Sequence, residues 1–225
     1  MSRVMQKTIF RTTLLTLVVL GLLPAAPAAA QAQDVVTIGT GSGAPNQVVD
    51  VPVSIRDVSG TPLGMDQPPG SKIQSYSLKV DYSPASAVQS VTFTRAGITQ
   101  SLTPTFESSP SGPGTVSLLD TFQESTNPIP FTLNGAAPGN QVANLHFTLS
   151  AAAIPATAIT LTLDPALTQL TDQAGSGATK ESTTAGNLAL VPGVINITAP
   201  VPAMSTWMLI LLAVSLVFIA LKMRF

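Results

Sequence analysis

The sequence predicts an all-β protein, a sandwich of about nine strands. Two stretches, residues 49–56 and 75–82, alternate apolar and polar residues with a period of two, which is the period of a half-buried strand. The chain also contains 16 glycines and 19 prolines, and these residues mark frequent turns. No amphipathic helix separates the predicted strands, whereas parallel crossovers would need helices, so we expect antiparallel strands in two packed sheets.

The predicted strands follow one another at regular spacing, with turn residues between them. The first covers 34–40 and ends at a glycine-rich turn, 41–45. The others are expected at 49–56, 75–82, 87–95, 102–107, 115–122, 129–133, 141–150, 159–163 and 188–197, with a short strand at 167–170. A loop rich in glycine and proline covers 57–72. Pro52 has no N–H to donate to a ladder, so its place within a strand predicts a sheet edge or a bulge.

Residues 1–32 are predicted to be a secretory signal peptide. Basic residues begin the chain, and an apolar run at 14–23 follows them. Small residues after this run offer signal peptidase a cleavage site, with Ala30 or Ala32 as the last residue removed. An uncleaved membrane anchor is the alternative, although the run is short for one. We therefore expect the chain to be exported and residues 33–199 to form its one folded domain.

Residues 207–225 are predicted to form a transmembrane helix with a basic end. The run 207–221 contains no charged residue, and Lys222 and Arg224 follow it. A helix of about fifteen residues is roughly 22 Å long, so flanking residues must complete a span of about 30 Å. The positive-inside rule keeps the basic end in the cytoplasm and places the body of the chain outside. A buried helix of a globular domain is the alternative.

The domain between the two terminal segments is mildly acidic. It contains five Lys and Arg residues and all eleven Asp and Glu residues, which gives a net charge of −6. Such a domain is a poor ligand for nucleic acid or anionic lipid. The chain contains no cysteine, which excludes disulfides and thiolate chemistry.

We expect no catalytic site, no cofactor and no metal centre. The one histidine, His146, lies on the polar side of its predicted strand, and no serine motif accompanies it. A transition-metal site would have to be built almost entirely from carboxylates. Asp50, Asp57 and Asp66 would have to meet through a loop to hold calcium, and they lack the spacing of a calcium loop.

Sugar hydrolysis and sugar binding both find little support in the residues. A glycosidase needs two carboxylates across a cleft, and Asp81, Asp120 or Glu124 would have to supply them. Flat sugar-binding faces usually show exposed aromatic rings, but the only tryptophan, Trp207, belongs to the tail. The two tyrosines fall on the inward phase of their predicted strand.

The first half of the domain resembles a cohesin domain. The resemblance lies in the strand 48–55, which contains the sequence Val-Pro-Val, and in the segment 73–84, which ends in Asp-Tyr-Ser-Pro where Tyr-Asp-Pro is commoner in the family. The segment 87–91 then leads into the next strand, as in cohesins. The later segments match as generic strands.

The resemblance implies a jelly-roll sandwich of about nine strands, related to cellulose-binding modules. Cohesins bind a dockerin through one sheet face and gather polysaccharide-degrading enzymes on a surface. Dockerins carry paired calcium loops and this chain has none, so it would be the receptor. The expected function is a non-catalytic, surface-anchored module that recruits a dockerin-type protein or associates with extracellular polysaccharide. The alternative is a structural matrix protein of the same fold that associates with exopolysaccharide.

The C-terminal segment resembles the sorting signals of exported Gram-negative proteins, which combine a proline motif, a transmembrane helix and a basic end. Residues 200–206 form a proline-containing stem, and Pro202, Ser205 and Trp207 keep the register of the motif. The resemblance implies that a membrane protease removes the tail and that the protein passes to the cell surface or the extracellular space. Without cleavage the chain stays anchored in the membrane and faces the periplasm.

Overall fold

The computed structural model describes residues 31–172 and 179–200, which form a two-layered β-sandwich. The described residues contain fourteen strands and two short 3₁₀ turns, so the predicted all-β class is confirmed. The predicted signal peptide, apart from its last two residues, and the predicted transmembrane helix lie outside the described residues. Across the described ranges, no helix combines the length and the apolar character needed to cross a bilayer.

In chain order the strands are β1 (Asp34–Ile38), β2 (Thr40–Gly43), β3 (Val48–Arg56), β4 (Ser75–Ser83), β5 (Val88–Arg95), β6 (Phe106–Ser108), β7 (Ser111–Gly112), β8 (Thr115–Thr121), β9 (Asn140–Leu149), β10 (Ala158–Leu163), β11 (Gln169–Thr171), β12 (Lys180–Ser182), β13 (Leu188–Val191) and β14 (Gly193–Ile197). Sheet A contains five of them, in the order β13-β1-β3-β9-β5. In sheet B, β4 lies between β8 on one side and β10 and β11, end to end, on the other. β14 and β2 extend sheet B beyond β10, β12 extends it beyond β11, and β6 and β7 extend it beyond β8.

The core lies between the sheets and consists of every second residue of the long strands. The inward residues of β3 and β4 are Val49, Val51, Val53 and Ile55, and Tyr76, Leu78, Val80 and Tyr82. Both tyrosines therefore point into the sandwich, as predicted. The Tyr82 ring meets Phe147 of β9 edge to face, with centroids 5.5 Å apart and an interplanar angle of 84°, which is a favoured aromatic arrangement.

The two ends of the domain cross from sheet A to sheet B side by side. β1 continues into β2 through Gly39, and β13 continues into β14 at Gly193, while β1 pairs with β13 and β2 with β14 in parallel. A Cβ at Gly193 would overlap the carbonyl oxygen of Gly39 and would lie 2.6 Å from Ile38 Cγ2. A Cβ at Gly39 would lie 2.7 Å from Pro52 Cγ. Close approach of the two crossovers therefore requires glycine at 193, and close approach of the first crossover to β3 requires glycine at 39.

Pro52 lies in β3, between β1 and β9 of sheet A, so of the two predicted settings, a sheet edge or a bulge, the structure shows the bulge. The register between β3 and β9 shifts between Val53 and Ser54, one residue beyond the proline. On the opposite side of β3, the Pro52 carbonyl accepts a hydrogen bond of 2.8 Å from the Gly39 N–H. At this point β1 has ended and the chain is leaving sheet A, so the missing proline N–H interrupts no continuous ladder.

We expect Gly193→Ala to destabilise the domain by about 2–3 kcal/mol, because the new methyl group overlaps backbone atoms of the neighbouring crossover. Gly112→Ala is the matched control, since a Cβ there meets only Thr115 Cγ2, at 3.6 Å. Urea unfolding of both variants and the wild type measures the difference. Equal stabilities of the two variants would show that the crossovers are not tightly packed.

The strand predicted at 129–133 is absent from the structure. Pro128 and Pro130 flank Ile129 and have no N–H to donate to a ladder. Ile129 and Phe131 are nevertheless buried in the core. The strand prediction is therefore wrong here, and an irregular backbone carries these two side chains into the core.

Other strand boundaries depend on pairings that periodicity does not reveal. The strand predicted at 102–107 shortens to β6, and the strand predicted at 188–197 divides into β13 and β14, which belong to different sheets. Three strands were not predicted, namely β2, β7 and β12. Each has four residues or fewer, which is too short for a period of two to be recognised.

Candidate functional site

The outward residues of sheet B form a polar surface, which we call the hydroxyl face. Alternation along β4 turns its aromatic and aliphatic residues inward, so its serines and charged residues point to solvent. The strand register places similar residues of neighbouring strands beside them. The members of the hydroxyl face are Ser75, Ser77, Lys79 and Asp81 of β4, Thr115, Ser117, Leu119 and Thr121 of β8, Thr160 and Thr162 of β10, Gln169 and Thr171 of β11, and Phe106 and Ser108 of β6.

A lysine between two carboxylates occupies the middle of the hydroxyl face. Lys79 Nζ lies 3.0 Å from Asp164 Oδ2, just after β10, and 3.6 Å from Asp81 Oδ1. The hydrogen bond between Lys79 and Asp164 raises the pKa of the lysine and lowers the pKa of the aspartate, so both groups stay charged at neutral pH. Solvent-exposed ion pairs add little to stability. The pairs do fix a pattern of charge on the surface.

Three apolar side chains lie on or beside the hydroxyl face. Phe106 is 55% exposed and Leu167 is 53% exposed, and Leu119 is half-buried. Leu167 belongs to the turn between β10 and β11, and its carbonyl oxygen accepts a hydrogen bond from Ser77 Oγ. Aromatic residues are enriched at protein interfaces, so exposed apolar groups beside polar rows suit a surface that binds a protein.

The outer face of sheet A is also polar, but its central side chains bind one another. Asp50 Oδ1 lies 2.5 Å from His146 Nδ1, and His146 Nε2 lies 2.7 Å from Thr94 Oγ1. His146 therefore lies on the outward side of β9, as predicted. The Asp50 side chain is 62% exposed, so this row does not form the enclosed pocket that catalysis usually requires. We interpret the row as a cross-strand contact that stabilises sheet A.

The carboxylates considered for glycoside cleavage lie on different sides of sheet B. Asp81 is on the hydroxyl face, whereas Asp120 points into the core and accepts a hydrogen bond of 2.8 Å from the Tyr76 hydroxyl. Glu124 follows β8 and accepts a hydrogen bond from the Gly70 N–H. Asp81 and Asp120 therefore cannot act together on one glycosidic bond.

The aspartates considered for calcium do not come together as a set. Asp57 and Asp66 lie on either side of Gly64 in the 57–72 loop, but Asp50 contacts His146 on the outer face of sheet A. No group of three or more histidines and carboxylates in the described residues is arranged to hold a metal ion.

We expect Asp120→Asn to stabilise the domain in mildly alkaline solution. Burial raises the pKa of Asp120 to about 7, so its contribution to stability is complete below pH ~4 and is lost as the pH rises through about 7. Asparagine keeps an acceptor for the Tyr76 hydroxyl and does not ionise. The variant should exceed the wild type by about 1–2 kcal/mol near pH 8.5 and by little near pH 4, as measured by urea unfolding. Asp81→Asn, on the hydroxyl face, should show no such pH-dependent gain.

A cleft of about 470 Å³ opens where β5 approaches β7. Its lining combines apolar residues such as Val91 with polar residues such as Gln89, and Tyr82 also lines it. The Tyr82 hydroxyl donates a hydrogen bond to the Gly112 carbonyl. The volume is within the range of small-molecule sites, but the lining residues carry no charge. The cleft is therefore a weaker candidate than the hydroxyl face.

Of the processing residues predicted from the sequence, Ala32 is described by the structure. It is half-buried in the segment that precedes β1. The others, Ala30, Pro202, Ser205, Trp207, Lys222 and Arg224, lie outside the described residues. Signal cleavage and tail processing therefore stay predictions.

Sequence reasoning left the binding face undetermined because it did not show which strands lie beside β4. The outward serines of β4 are visible in its alternation, but their neighbours come from distant parts of the chain. Asp164, for example, reaches Lys79 across 85 positions. The charge pattern at the centre of the hydroxyl face therefore appears only in the folded structure.

Solved structures with a similar fold are cohesin domains. The third cohesin of ScaC from Acetivibrio cellulolyticus, solved with the ScaB dockerin, matches with a TM-score of 0.53 and 19% identity, over 74% of this chain and 100% of that chain. The cohesin CaCohA2 from Clostridium acetobutylicum matches with a TM-score of 0.51 and 22% identity, over 76% and 95% of the two chains. A chain from a type I cohesin–dockerin complex of Clostridium thermocellum matches with a TM-score of 0.52 and 13% identity, over 73% of this chain and 99% of that chain.

The predicted resemblance to cohesins is thus confirmed at the level of the fold. The identities are low, so the similarity establishes the architecture and leaves function to be argued from the surface. No protein-family model matches the chain. No curated protein matches it either.

Proposed function

We propose that residues 33–199 form a non-catalytic, cohesin-like binding module that engages a dockerin-type protein through the hydroxyl face. The observation that carries the proposal is the face itself. It combines hydroxyl rows, a fixed central charge pattern and exposed apolar side chains on a cohesin-like sandwich. Two of the similar structures, from Acetivibrio cellulolyticus and Clostridium thermocellum, are complexes of a cohesin with a dockerin, which supports the same class of partner for this chain.

The chemistry of the hydroxyl face suits a folded protein surface. Its serine and threonine hydroxyls both donate and accept hydrogen bonds, so they match either kind of polar group on a partner. Lys79 and Asp164 offer charges of both signs, which select an orientation for the partner. Phe106 and Leu119 supply the apolar contacts that protein interfaces bury alongside polar groups.

The proposal places the domain outside the cytoplasm, in keeping with the sequence of the two terminal segments. In this scheme signal peptidase removes residues 1–32, and the tail either holds the domain in the membrane or is removed by a sorting protease. An acidic domain without cysteine is compatible with export to a bacterial surface. The exported module would gather partner enzymes in a context of polysaccharide degradation.

One observation favours the second candidate, a matrix protein that associates with exopolysaccharide. Phe106 exposes an aromatic ring beside Ser108 and Thr121 of the hydroxyl face. An exposed ring next to hydroxyl groups can contact the apolar face of a sugar while the hydroxyls form hydrogen bonds. The test must therefore separate a protein partner from a polysaccharide.

The experiment is a pull-down with immobilised residues 33–199 against the secretome of the producing organism, with and without a calcium chelator. We expect capture of proteins with duplicated calcium-loop segments, and we expect the chelator to abolish it because those loops need calcium to fold. Binding to purified exopolysaccharide that is unaffected by the chelator, with no protein captured, would contradict the dockerin-type partner and support the matrix protein.

A further inference from the structure

Carboxylates hold the long loop between β3 and β4, at residues 57–72, by accepting its backbone N–H groups. The donor and acceptor pairs are Val58 and Asp34, Gly60 and Asp66, Leu63 and Glu181, Met65 and Asp57, and Gly70 and Glu124. Three of the acceptors, Asp34, Asp57 and Glu181, are fully buried. Asp57 closes the loop on itself, whereas Asp34 and Glu181 dock the loop on the sandwich.

Two of the four carboxylate oxygens of Asp34 in β1 and Glu181 in β12 receive no hydrogen bond from the described residues. Asp34 Oδ1 accepts hydrogen bonds of 2.7 Å from the Val58 N–H and 3.3 Å from the Thr61 hydroxyl. Glu181 Oε1 accepts one of 2.8 Å from the Leu63 N–H. The other oxygens, Asp34 Oδ2 and Glu181 Oε2, are buried, and no N–H or hydroxyl of the described residues reaches them. A buried oxygen without a donor is costly, and two facing buried carboxylates cannot both be charged without a large penalty.

The remaining donor is a proton held between the two carboxyl groups. The carboxyl groups of Asp34 and Glu181 lie within hydrogen-bonding reach of each other, and a hydrogen bond between two carboxyl groups requires that one of them is protonated. We propose that Asp34 and Glu181 share one proton and form a pH-sensitive latch, which docks the 57–72 loop onto β1 and β12 and releases it in alkaline solution. This proposal does not depend on the identity of the binding partner.

The charged groups around the pair favour the protonated state. Burial raises the pKa of Glu181 to about 9, and the hydrogen bond and charge of Asp34 add to this rise. Burial also raises the pKa of Asp34, and the charge of Asp57 in the loop adds to it. Asp57 in turn faces Asp66 and Lys72. The Lys72 ammonium donates to loop carbonyl groups, so it helps to close the loop beside Asp57.

The direction of the pH dependence follows from linkage. The folded state holds the Glu181 proton more tightly than the unfolded chain does, so the stability from the latch is complete below pH ~4.5 and is lost as the pH rises through about 9. Loss of the shared proton leaves two buried anions in contact. Exposure of both anions relieves their repulsion, and it breaks the hydrogen bonds from the Val58 and Leu63 amides.

The test is amide hydrogen exchange by NMR on residues 33–199, whose buried core is complete between Val36 and Ile197. After correction for intrinsic base catalysis, we expect the protection of the Val58 and Leu63 amides to fall at least about tenfold between pH 6 and pH 9 in the wild type. Glu181→Gln keeps the acceptor for Leu63 and donates to Asp34 at every pH, so protection in this variant should stay nearly constant.

Glu124→Gln is the matched control, because Glu124 also accepts a loop N–H but lies outside the pair. It should retain the wild-type pH dependence at Val58 and Leu63. Asp34→Asn is the second variant if Glu181→Gln fails to fold, and it should also flatten the profile. A wild-type profile that does not fall, or a Glu181→Gln profile equal to it, would overturn the latch. So would a rise of several degrees in the wild-type Tm on addition of CaCl₂ at neutral pH, because a cation would then bridge the pair.

Discussion

Phe147→Ala should destabilise the domain by about 3–5 kcal/mol. Phe147 is fully buried in the middle of β9, opposite Val49 of β3 and Val91 of β5. Its ring also contacts Tyr82 of the other sheet, so it is packed from both layers. Three laddered strands surround the position and cannot collapse into the cavity that alanine would leave. Urea unfolding of residues 33–199 measures the loss.

Phe106→Ala is the matched control for this prediction, because it makes the same chemical change at a side chain that is 55% exposed. We expect it to cost less than about 1 kcal/mol. Phe106→Ala also separates a loss of partner binding from a loss of stability, because Phe106 belongs to the hydroxyl face and lies outside the core. Equal losses of stability in the two variants would contradict the assignment of Phe147 to the centre of the core.

Thr162→Glu should weaken binding of the dockerin-type partner by at least about 30-fold, or roughly 2 kcal/mol. Thr162 is exposed on β10 and lies opposite Asp81 in register. A glutamate there would have to be buried in the interface beside Asp81, and the neighbouring cation, Lys79, already pairs with Asp81 and Asp164. Isothermal titration calorimetry with the partner isolated in the pull-down measures the affinity of the variant and the wild type.

Thr92→Glu is the control for the binding prediction. Thr92 is also an exposed threonine on a strand, but it lies on the outer face of sheet A, opposite His146. Thr92→Glu and Thr162→Glu change the net charge by the same amount, so their long-range electrostatic effects on the partner are matched. We expect an affinity within about threefold of the wild type, which is the scatter of a neutral surface change. A larger loss of affinity for Thr92→Glu than for Thr162→Glu would show that the partner binds the outer face of sheet A, which would contradict our proposal.

The long strands could be predicted because each has one face in the core, which imposes a period of two on its residues. β3, β4 and β9 show this, because the residues predicted to face inward are buried. Ser54 and Val142, beside the register shift between β3 and β9, are buried as well, which the period of two does not predict. The short strands could not be predicted, because their pairing depends on where the chain crosses between sheets. β2 is an example, since its Thr-Gly-Ser-Gly sequence indicates a turn and becomes a strand only beside β14.

The candidate sites could be predicted only where one strand contains them. The hydroxyl face is implied by the outward serines of β4, yet its central ion pair joins segments far apart in the sequence. The latch is still harder to predict from the sequence, because Asp34 and Glu181 are 147 positions apart and belong to no local motif. Neither residue was singled out from the sequence. Their importance follows from burial and from the loop amides that they accept.

An NMR titration of ¹⁵N-labelled residues 33–199 with the isolated partner tests the central claim most directly. We predict saturable shifts concentrated in the amides of β4, β8 and β10, including Ser77, Lys79 and Thr162, with little change at Thr92 and His146. Shifts concentrated on β3, β5 and β9 would contradict the hydroxyl face as the binding surface. Saturable shifts with exopolysaccharide and none with any calcium-loop protein would contradict the dockerin-type partner itself.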